Sequence, residues 1–114
     1  MTKLEYTSYS KLAIKTMASI LRSAHTLATR NEHAASAQPH YVSALVKCAV
    51  HHRLGTVPVG EPSIVIAVSS PHRKEAFVAC EYILEEVKDK AQIWKKEYYE
   101  GEEETEAEWK ANRA

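Results

Sequence analysis

Apolar residues recur along the chain with two different periods, and the longer period predicts two main helices. Residues 9–29 carry apolar side chains at three- and four-residue spacing, which is typical of an amphipathic helix. A second helix is predicted to start at Ser70-Pro71, because serine caps helices and proline fits the first helical position, and to run to about Ala91. The predicted buried stripe of this second helix is Phe77, Cys80, Ile83, Leu84 and Val87.

The shorter period, alternation of apolar and polar residues, predicts strands around these helices. The predicted strands are residues 3–6, 41–52, 64–68 and 93–98. The 64–68 run is β-branched almost throughout, which is typical of a central strand. Residues 30–40 have no period and are predicted to form a surface loop, and 56–62 a turn-rich connection. The order β-α-β-β-α-β predicts one α+β domain over residues 1–114, with a mostly antiparallel sheet.

Composition narrows the class of protein. The chain has 114 residues and no net charge, and it lacks the roughly 20 consecutive apolar residues of a membrane span. No apolar signal-peptide segment follows Met1, and the two cysteines cannot form a disulfide framework, so a cytosolic location is expected. Glutamates concentrate in an acidic tail at about residues 97–108, which leaves a basic body. This balance suits a small anionic ligand or an acidic partner better than nucleic acid.

The junction of a strand with the second helix is the first candidate site. Ser69 to Arg73 lies where a helix N-terminus presents free N–H groups, and His72 and Arg73 would add positive charge for an anion such as phosphate. The alternative is an ordinary capped helix with two solvated side chains.

Lysines near the end of the second helix form another candidate site. Lys88 lies on the last helical turn and Lys95 on the next strand, so a chain reversal could bring both ammonium groups to one pocket. Two close cations lower each other's pKa, which can leave one lysine nucleophilic. The alternative is a solubilising surface. The histidines and cysteines show no metal-ligand spacing and are interpreted as structural, so no metal site is predicted.

A set of short motifs in a fixed order carries a resemblance to a known family. The motifs are His52-Arg53-Leu54-Gly55, Ser69-Ser70 with His72-Arg73, Phe77, Lys88 and Ile93-Trp94-Lys95-Lys96-Glu97. In this order they resemble the large, catalytic subunit of molybdopterin synthase. The resemblance implies that family's α/β hammerhead fold.

The resemblance also implies a reaction and roles for particular residues. A ubiquitin-like small subunit would carry a thiocarboxylate on its C-terminal Gly-Gly, and its sulfur would pass to cyclic pyranopterin monophosphate to form molybdopterin. By motif, Lys88 and Lys95 would be catalytic. The implied substrate-binding residues are His72, Arg73, Lys96 and Arg113. No metal or redox cofactor is expected, because the sulfur arrives on the partner.

The implied assembly is a homodimer of large subunits with a small subunit at each end. Arg113 is expected to reach toward the neighbouring subunit's site. The family has an additional N-terminal segment with a pocket-lining arginine, which this sequence does not contain. Two alternatives therefore stay open: a truncated paralogue that dimerises or binds the small subunit without turnover, and a plain phosphate- or nucleotide-binding module.

Overall fold

The computed structural model describes residues 1–35, 45 and 47–113, and its side chains outside residues 28–35. In this part of the chain, two long helices and six strands alternate as β-α-β-β-β-α-β-β, which confirms the α+β class. The elements are β1 (Lys3–Ser8), α1 (Ser10–Ala35), β2 (Lys47–His52), β3 (Gly55–Pro58), β4 (Ile64–Ser69), α2 (Arg73–Lys90), β5 (Ile93–Tyr98), a short 3-10 helix (Glu104–Glu106) and β6 (Lys110–Ala111).

The strands form two antiparallel sheets. The larger sheet has the order β3-β1-β5-β6, and β2 pairs with β4 in a separate two-stranded sheet. In the larger sheet β1 lies between two partners: Leu4 is opposite Val57 of β3, and Tyr6 is opposite Lys95 of β5. The predicted antiparallel pairing is confirmed.

Helix α1 is longer than its periodicity predicts. It begins at Ser10 and continues to Ala35, so residues 30–35 are helical where a loop was expected. The segment has no glycine or proline to end the helix, and its arginine, glutamate and alanines favour helix. The rest of the expected loop, 36–40, and positions 41–44 and 46 of the expected 41–52 strand lie outside the described residues. The strand is confirmed over Lys47–His52.

Part of the segment expected to be turn-rich is a strand. Residues Gly55–Pro58 pair with β1 at the edge of the larger sheet. A proline is tolerated there because, among the described residues, the other side of the strand pairs with no strand. Gly55 has a φ of 80°, a conformation that glycine adopts without steric cost and that lets the chain leave β2 for β3. The proline and glycine residues of this segment are typical of turns, so the sequence pattern did not predict the strand.

The β-branched strand at 64–68 is not central, as its composition suggested. It is β4, which pairs with β2 in the two-stranded sheet. Burial alternates along it: Ile64, Ile66 and Val68 are half-buried, whereas Val65 and Ala67 are exposed. Branching predicts an extended backbone, but the number of covered faces depends on neighbouring elements.

The start of α2 is also displaced from the expected position. The helix begins at Arg73, and His72 occupies the N-cap position without a capping side-chain bond. Ser70, the expected cap, instead donates its hydroxyl to the carbonyl oxygen of His72. Ser70 and Pro71 therefore precede the helix.

The buried face of α2 differs in part from the predicted stripe. Ala79, Ile83 and Val87 are buried, whereas Phe77 is 73% exposed. Cys80 and Leu84 are half-buried. The fold thus turns a small alanine inward in place of the aromatic ring. In the described part of the chain, the buried apolar residues are Tyr6, Ala13, Ile20, Ala24, Leu45, Val57, Ala79, Ile83, Val87, Ala91 and Ile93.

The acidic segment is only in part a solvated tail. Glu97 belongs to β5 and is half-buried, whereas Glu100, Glu102 and Glu103 are exposed. The short 3-10 helix that follows is exposed as well. No helix in the described ranges is long and apolar enough to cross a membrane.

The revised burial of α2 gives a direct test. Ile83 is fully buried, so Ile83→Ala should lower the free energy of unfolding by about 2–5 kcal/mol through lost apolar burial and a residual cavity. Phe77→Ala should change it by less than about 0.5 kcal/mol. Urea unfolding of both variants checks the contrast. A larger loss in Phe77→Ala than in Ile83→Ala would contradict the packing of α2.

Candidate functional site

Strand β5 presents its two adjacent lysines to opposite faces of the larger sheet, because successive residues of a strand alternate. Lys95 lies directly across from Tyr6, a core residue, and is therefore on the face that carries the core. Lys96 lies across from Glu5 on the other face, where its Nζ sits 4.6 Å from the centroid of the Trp109 ring. The structure therefore separates Lys96 from Lys95.

The Lys95 ammonium is held by two oxygen acceptors. Its Nζ donates to the backbone carbonyl of Arg113 at 3.0 Å and lies 3.5 Å from Oε1 of Glu97. The side chains of Lys95 and Glu97 are each 18% exposed. A hydrogen bond donated by the Tyr99 hydroxyl lowers the pKa of the Glu97 carboxyl, and the charge of Lys95 adds to the effect, whereas partial burial opposes it. Glu97 is thus an ionised partner for Lys95.

His52 contacts Asn112, the residue next to the arginine whose carbonyl holds Lys95. Nδ1 of His52 lies 2.7 Å from the carbonyl oxygen of Arg53, and Nε2 lies 3.0 Å from Nδ2 of Asn112. The ring meets Tyr6 edge-on, with 4.7 Å between centroids. Burial lowers the pKa of His52 most; the hydrogen bond to Arg53 opposes this, and the charge of Lys88 lowers the pKa further. The imidazole is therefore favoured in its neutral form.

Lys88 and Arg113 lie on the same side of the molecule as this network. Lys88 is half-buried on the last turn of α2 and acts electrostatically on His52. The next residue, Asp89, forms an ion pair with Arg113, with 3.2 Å between Oδ1 of Asp89 and Nε of Arg113. The arginine expected to serve a neighbouring subunit therefore contacts its own chain here, while its carbonyl holds Lys95. The structure thus joins Lys95 and Arg113 by a direct contact, and Lys88 is the helical neighbour of Asp89, the ion-pair partner of Arg113.

His72 and Arg73 lie at the opposite end of α2. The helix begins at Arg73 and Lys88 is fifteen residues further on, so the two are separated by about 22 Å along the axis at 1.5 Å per residue. Both side chains at the start of the helix are exposed. Within one chain, the expected phosphate-binding pair and the lysine pair do not form a single pocket.

An apolar cleft of about 160 Å³ adjoins His52. It lies between the start of α1 and the strands, and its walls are mostly hydrocarbon. The lining residues are Ser8, Ser10, Ala13, Ile14, Met17, His52, Leu54 and Ile93. His52 is therefore shared by the cleft and by the contacts described above.

Two contributors to this site, His52 and Asn112, were not singled out by residue chemistry. His52 belongs to the His52-Arg53-Leu54-Gly55 motif, but its type and spacing suggested only a structural histidine. Asn112 is 3% exposed, and nothing in its sequence context indicates a buried amide. Only the pairing of β6 with β5 brings it to the histidine.

The cysteines take no part in this cluster of contacts. Sγ of Cys48 lies 3.1 Å from Nε2 of His25, and both cysteines are free and half-buried. Burial raises the pKa of the Cys48 thiol, and Cys80 raises it further. The thiol is therefore held in its protonated form, as expected of a structural cysteine.

Comparison with known proteins identifies the family. A family model described as MoaE protein matches residues 1–90. The chain belongs to the MoaE family. It is 47% identical over 112 residues to the molybdopterin synthase catalytic subunit of Phaeosphaeria nodorum, covering 98% of this chain and 50% of that protein. It is 41% identical to the molybdopterin synthase catalytic subunit 2 of Aedes aegypti, covering 96% and 61%.

Solved structures agree with this family. The crystal structure of molybdopterin synthase from Staphylococcus aureus matches 96% of the chain and 66% of that chain, with a TM-score of 0.71 and 33% identity. A MoaE-family protein from Burkholderia multivorans, at 23% identity and a TM-score of 0.70, has the same fold. The chain spans about half the length of several of its sequence relatives. The resemblance drawn from the motifs is confirmed.

The environment of Glu97 can be tested by removing its hydrogen-bond donor. In Tyr99→Phe the pKa of the Glu97 carboxyl should rise toward its ordinary value, because the largest stabilising contact of the carboxylate is lost. Carboxyl-carbon NMR titration measures this directly. Since a lowered carboxyl pKa stabilises the fold above about pH 4.5 and this stability is lost on acidification, the variant should also be less sensitive to acid. An unchanged titration would mean that the neighbouring lysines, Lys95 and Lys110, and not Tyr99, lower the pKa of Glu97.

Proposed function

We propose that this chain is the sulfur-transferring subunit of a molybdopterin synthase. A thiocarboxylate at the Gly-Gly terminus of a small ubiquitin-like subunit would supply sulfur to cyclic pyranopterin monophosphate. The observation that carries the proposal is the half-buried Lys95, fixed by Glu97 and the Arg113 carbonyl, on the side of the fold where Lys88 ends α2. Membership in the MoaE family and the names of its relatives support it.

The arrangement suits an anionic sulfur donor. A thiocarboxylate is negatively charged, so the ammonium groups of Lys88 and Lys95 would attract it and hold its sulfur near the pterin. Sulfur attacks a pterin carbon while the cyclic phosphate ester opens, and a lysine Nζ supplies the proton that the departing oxygen takes up. Hydrolysis then cleaves the thioester between the sulfur and the tail, which leaves a carboxylate on the small subunit and a thiol on the pterin. A second thiocarboxylate would replace the oxygen on the neighbouring carbon, which leaves as water, and a second hydrolysis would free that sulfur.

The cleft beside His52 fits the approach of such a partner. A C-terminal Gly-Gly tail has no side chains, so it can enter a space of about 160 Å³ that would exclude a bulkier peptide. Ile14, Met17 and Leu54 would give the tail apolar walls to pack against. We therefore place the small-subunit tail between α1 and β5.

The separation along α2 supports a site shared between two copies of the chain. One small pterin phosphate cannot bridge the roughly 22 Å between Arg73 and Lys88 of the same helix. His72 and Arg73 of one subunit would therefore bind the phosphate of a substrate lying at the lysines of the other subunit. Lys96, on the far sheet face, would serve substrate binding only through such a second chain.

A cytosolic location of the protein stays a prediction.

Removal of the helix-end lysine tests the catalytic assignment. Lys88→Ala should lower product formation by roughly a hundredfold or more, since a positioned acid or base contributes at least that much. Lys90→Ala is the matched control, because Lys90 lies on the same helix end but is paired with Glu86 at 2.6 Å on the surface. The assay uses thiocarboxylated small subunit and pterin precursor. Comparable loss of product formation in both variants, or near-normal turnover in Lys88→Ala, would contradict the catalytic assignment of Lys88. Absence of turnover in the unmodified chain would instead favour a non-catalytic binding role.

Mixing of two impaired subunits, at a precursor concentration too low to saturate the Arg73→Ala variant, tests the shared site. Arg73→Ala should weaken precursor binding about ten- to a hundredfold through loss of a charge-assisted contact to phosphate. If sites are shared, mixed dimers of Arg73→Ala and Lys88→Ala each regain one intact site, so an equal mixture should recover roughly a quarter of full activity. No recovery, with exchange of subunits shown by mass spectrometry, would mean that each chain holds a whole site.

A further inference from the structure

We infer that the hydrogen bond between neutral His52 and Asn112 is a positioning latch for the Lys95 ammonium. The latch fixes residues 110–113, here called the C-terminal segment, so that the carbonyl of Arg113 stays within hydrogen-bonding distance of Lys95. Protonation of His52 opens it. The catalytic consequence of the latch rests on the proposed function; the latch itself does not.

The partners of His52 define where its proton lies. The carbonyl oxygen of Arg53 can only accept, so Nδ1 must carry the hydrogen of the 2.7 Å bond. Nε2 of the neutral ring then has a lone pair, which accepts from the amide nitrogen of Asn112 at 3.0 Å. In the imidazolium form both ring nitrogens are donors, and Nε2 would face another donor.

The C-terminal segment has few other attachments. Strand β6 consists of two residues, with Ala111 opposite Trp94 and Lys110 opposite Lys95. The ion pair between Arg113 and Asp89 is exposed and therefore weak. Asn112 is 3% exposed, so the loss of its histidine acceptor leaves a buried amide without that bond. This makes the latch the main buried polar contact of the segment.

The surroundings of His52 disfavour its charged form. Tyr6 faces it from β1 and Lys88 from α2, while the cleft residues Ser10, Ala13 and Met17 of α1 carry no titratable group. Rotating the Asn112 amide end for end would restore one hydrogen bond to an imidazolium, but the cation would still be half-buried beside Lys88. The latch is therefore closed at neutral pH.

The direction of the pH dependence follows from these contacts. Burial, and then Lys88, lower the pKa of His52. An unfolded histidine, with a pKa of about 6.5, takes up its proton first as the pH falls. Stability from the latch is therefore complete above that pH and is lost progressively on acidification.

NMR of the whole chain between about pH 5 and 8 tests the latch. Long-range proton–nitrogen spectra should show His52 as the Nδ1–H tautomer at neutral pH. Protection of the Asn112 side-chain amide against hydrogen exchange, taken relative to the intrinsic rate at each pH, should fall about ten- to a hundredfold as His52 takes up a proton. His51→Gln is the matched control, because His51 is the adjacent, exposed residue of β2, and it should leave both observations unchanged.

Exchanging the amide for a carboxylate should invert the response. In Asn112→Asp the acceptor at position 112 favours the imidazolium form, so the segment should be held at low pH and released as the pH rises. If this variant does not fold, the double variant His52→Phe with Asn112→Leu removes both polar partners and should fold without an acid transition at the segment. An Nε2–H tautomer, amide exchange that ignores the His52 titration, or an acid transition retained in the double variant would overturn the latch.

A separate measurement, the pH dependence of sulfur transfer, distinguishes failure of the latch from failure of the proposed function. If the proposed function holds, the rate of sulfur transfer by the unmodified chain should fall on acidification over the same pH range in which His52 takes up its proton. In Asn112→Asp this acid limb of the pH-rate profile should shift. A pH-rate profile unchanged in Asn112→Asp would overturn the link between latch and Lys95. Latch behaviour in NMR without sulfur transfer at any pH would instead contradict the proposed function alone.

Discussion

The register between β1 and β5 is the constraint on which the rest of the molecule depends. Six consecutive residue pairs join these strands, and the Thr2 amide donates to the Tyr98 carbonyl just beyond them, so the first residues of the chain are fixed against residues nearly a hundred positions away. A slip of one residue would exchange the two faces of β5. Lys95 would then leave the site and Lys96 would enter it.

The two faces of the larger sheet use lysines in different ways. On the face with the core, Lys95 is half-buried between Glu97 and a backbone carbonyl. On the other face Lys3 lies over Tyr98 and Lys96 over Trp109, contacts that contribute about 0.5–1 kcal/mol each when exposed. The first environment fixes the position of an ammonium group, and the second mainly attaches the acidic C-terminal region to the sheet.

Helix α2 places positive charge at both of its ends, with opposite consequences. Lys88 lies on the last turn, where the helix dipole favours a cation, and contact with the core at Val87 holds this turn in place. Arg73 lies on the first turn, where the dipole disfavours a cation, so an anion there relieves unfavourable charge. The rigid helix keeps these two basic positions apart within a chain, which is why a second copy enters the proposed site.

The sequence by itself determined the helices, most of the strands, the α+β class and the family, because periodicity and ordered motifs are local properties of the chain. It also offered Lys88 and Lys95, by motif, as candidate catalytic residues. Tertiary structure alone decided that Phe77 is exposed, that 55–58 pairs with β1 and that Lys96 faces away from Lys95, since each depends on which element covers a given face. The contact between His52 and Asn112 was beyond local reasoning for the same reason: sixty residues separate its partners, and only strand pairing brings a buried amide to an imidazole that sequence context left without a role.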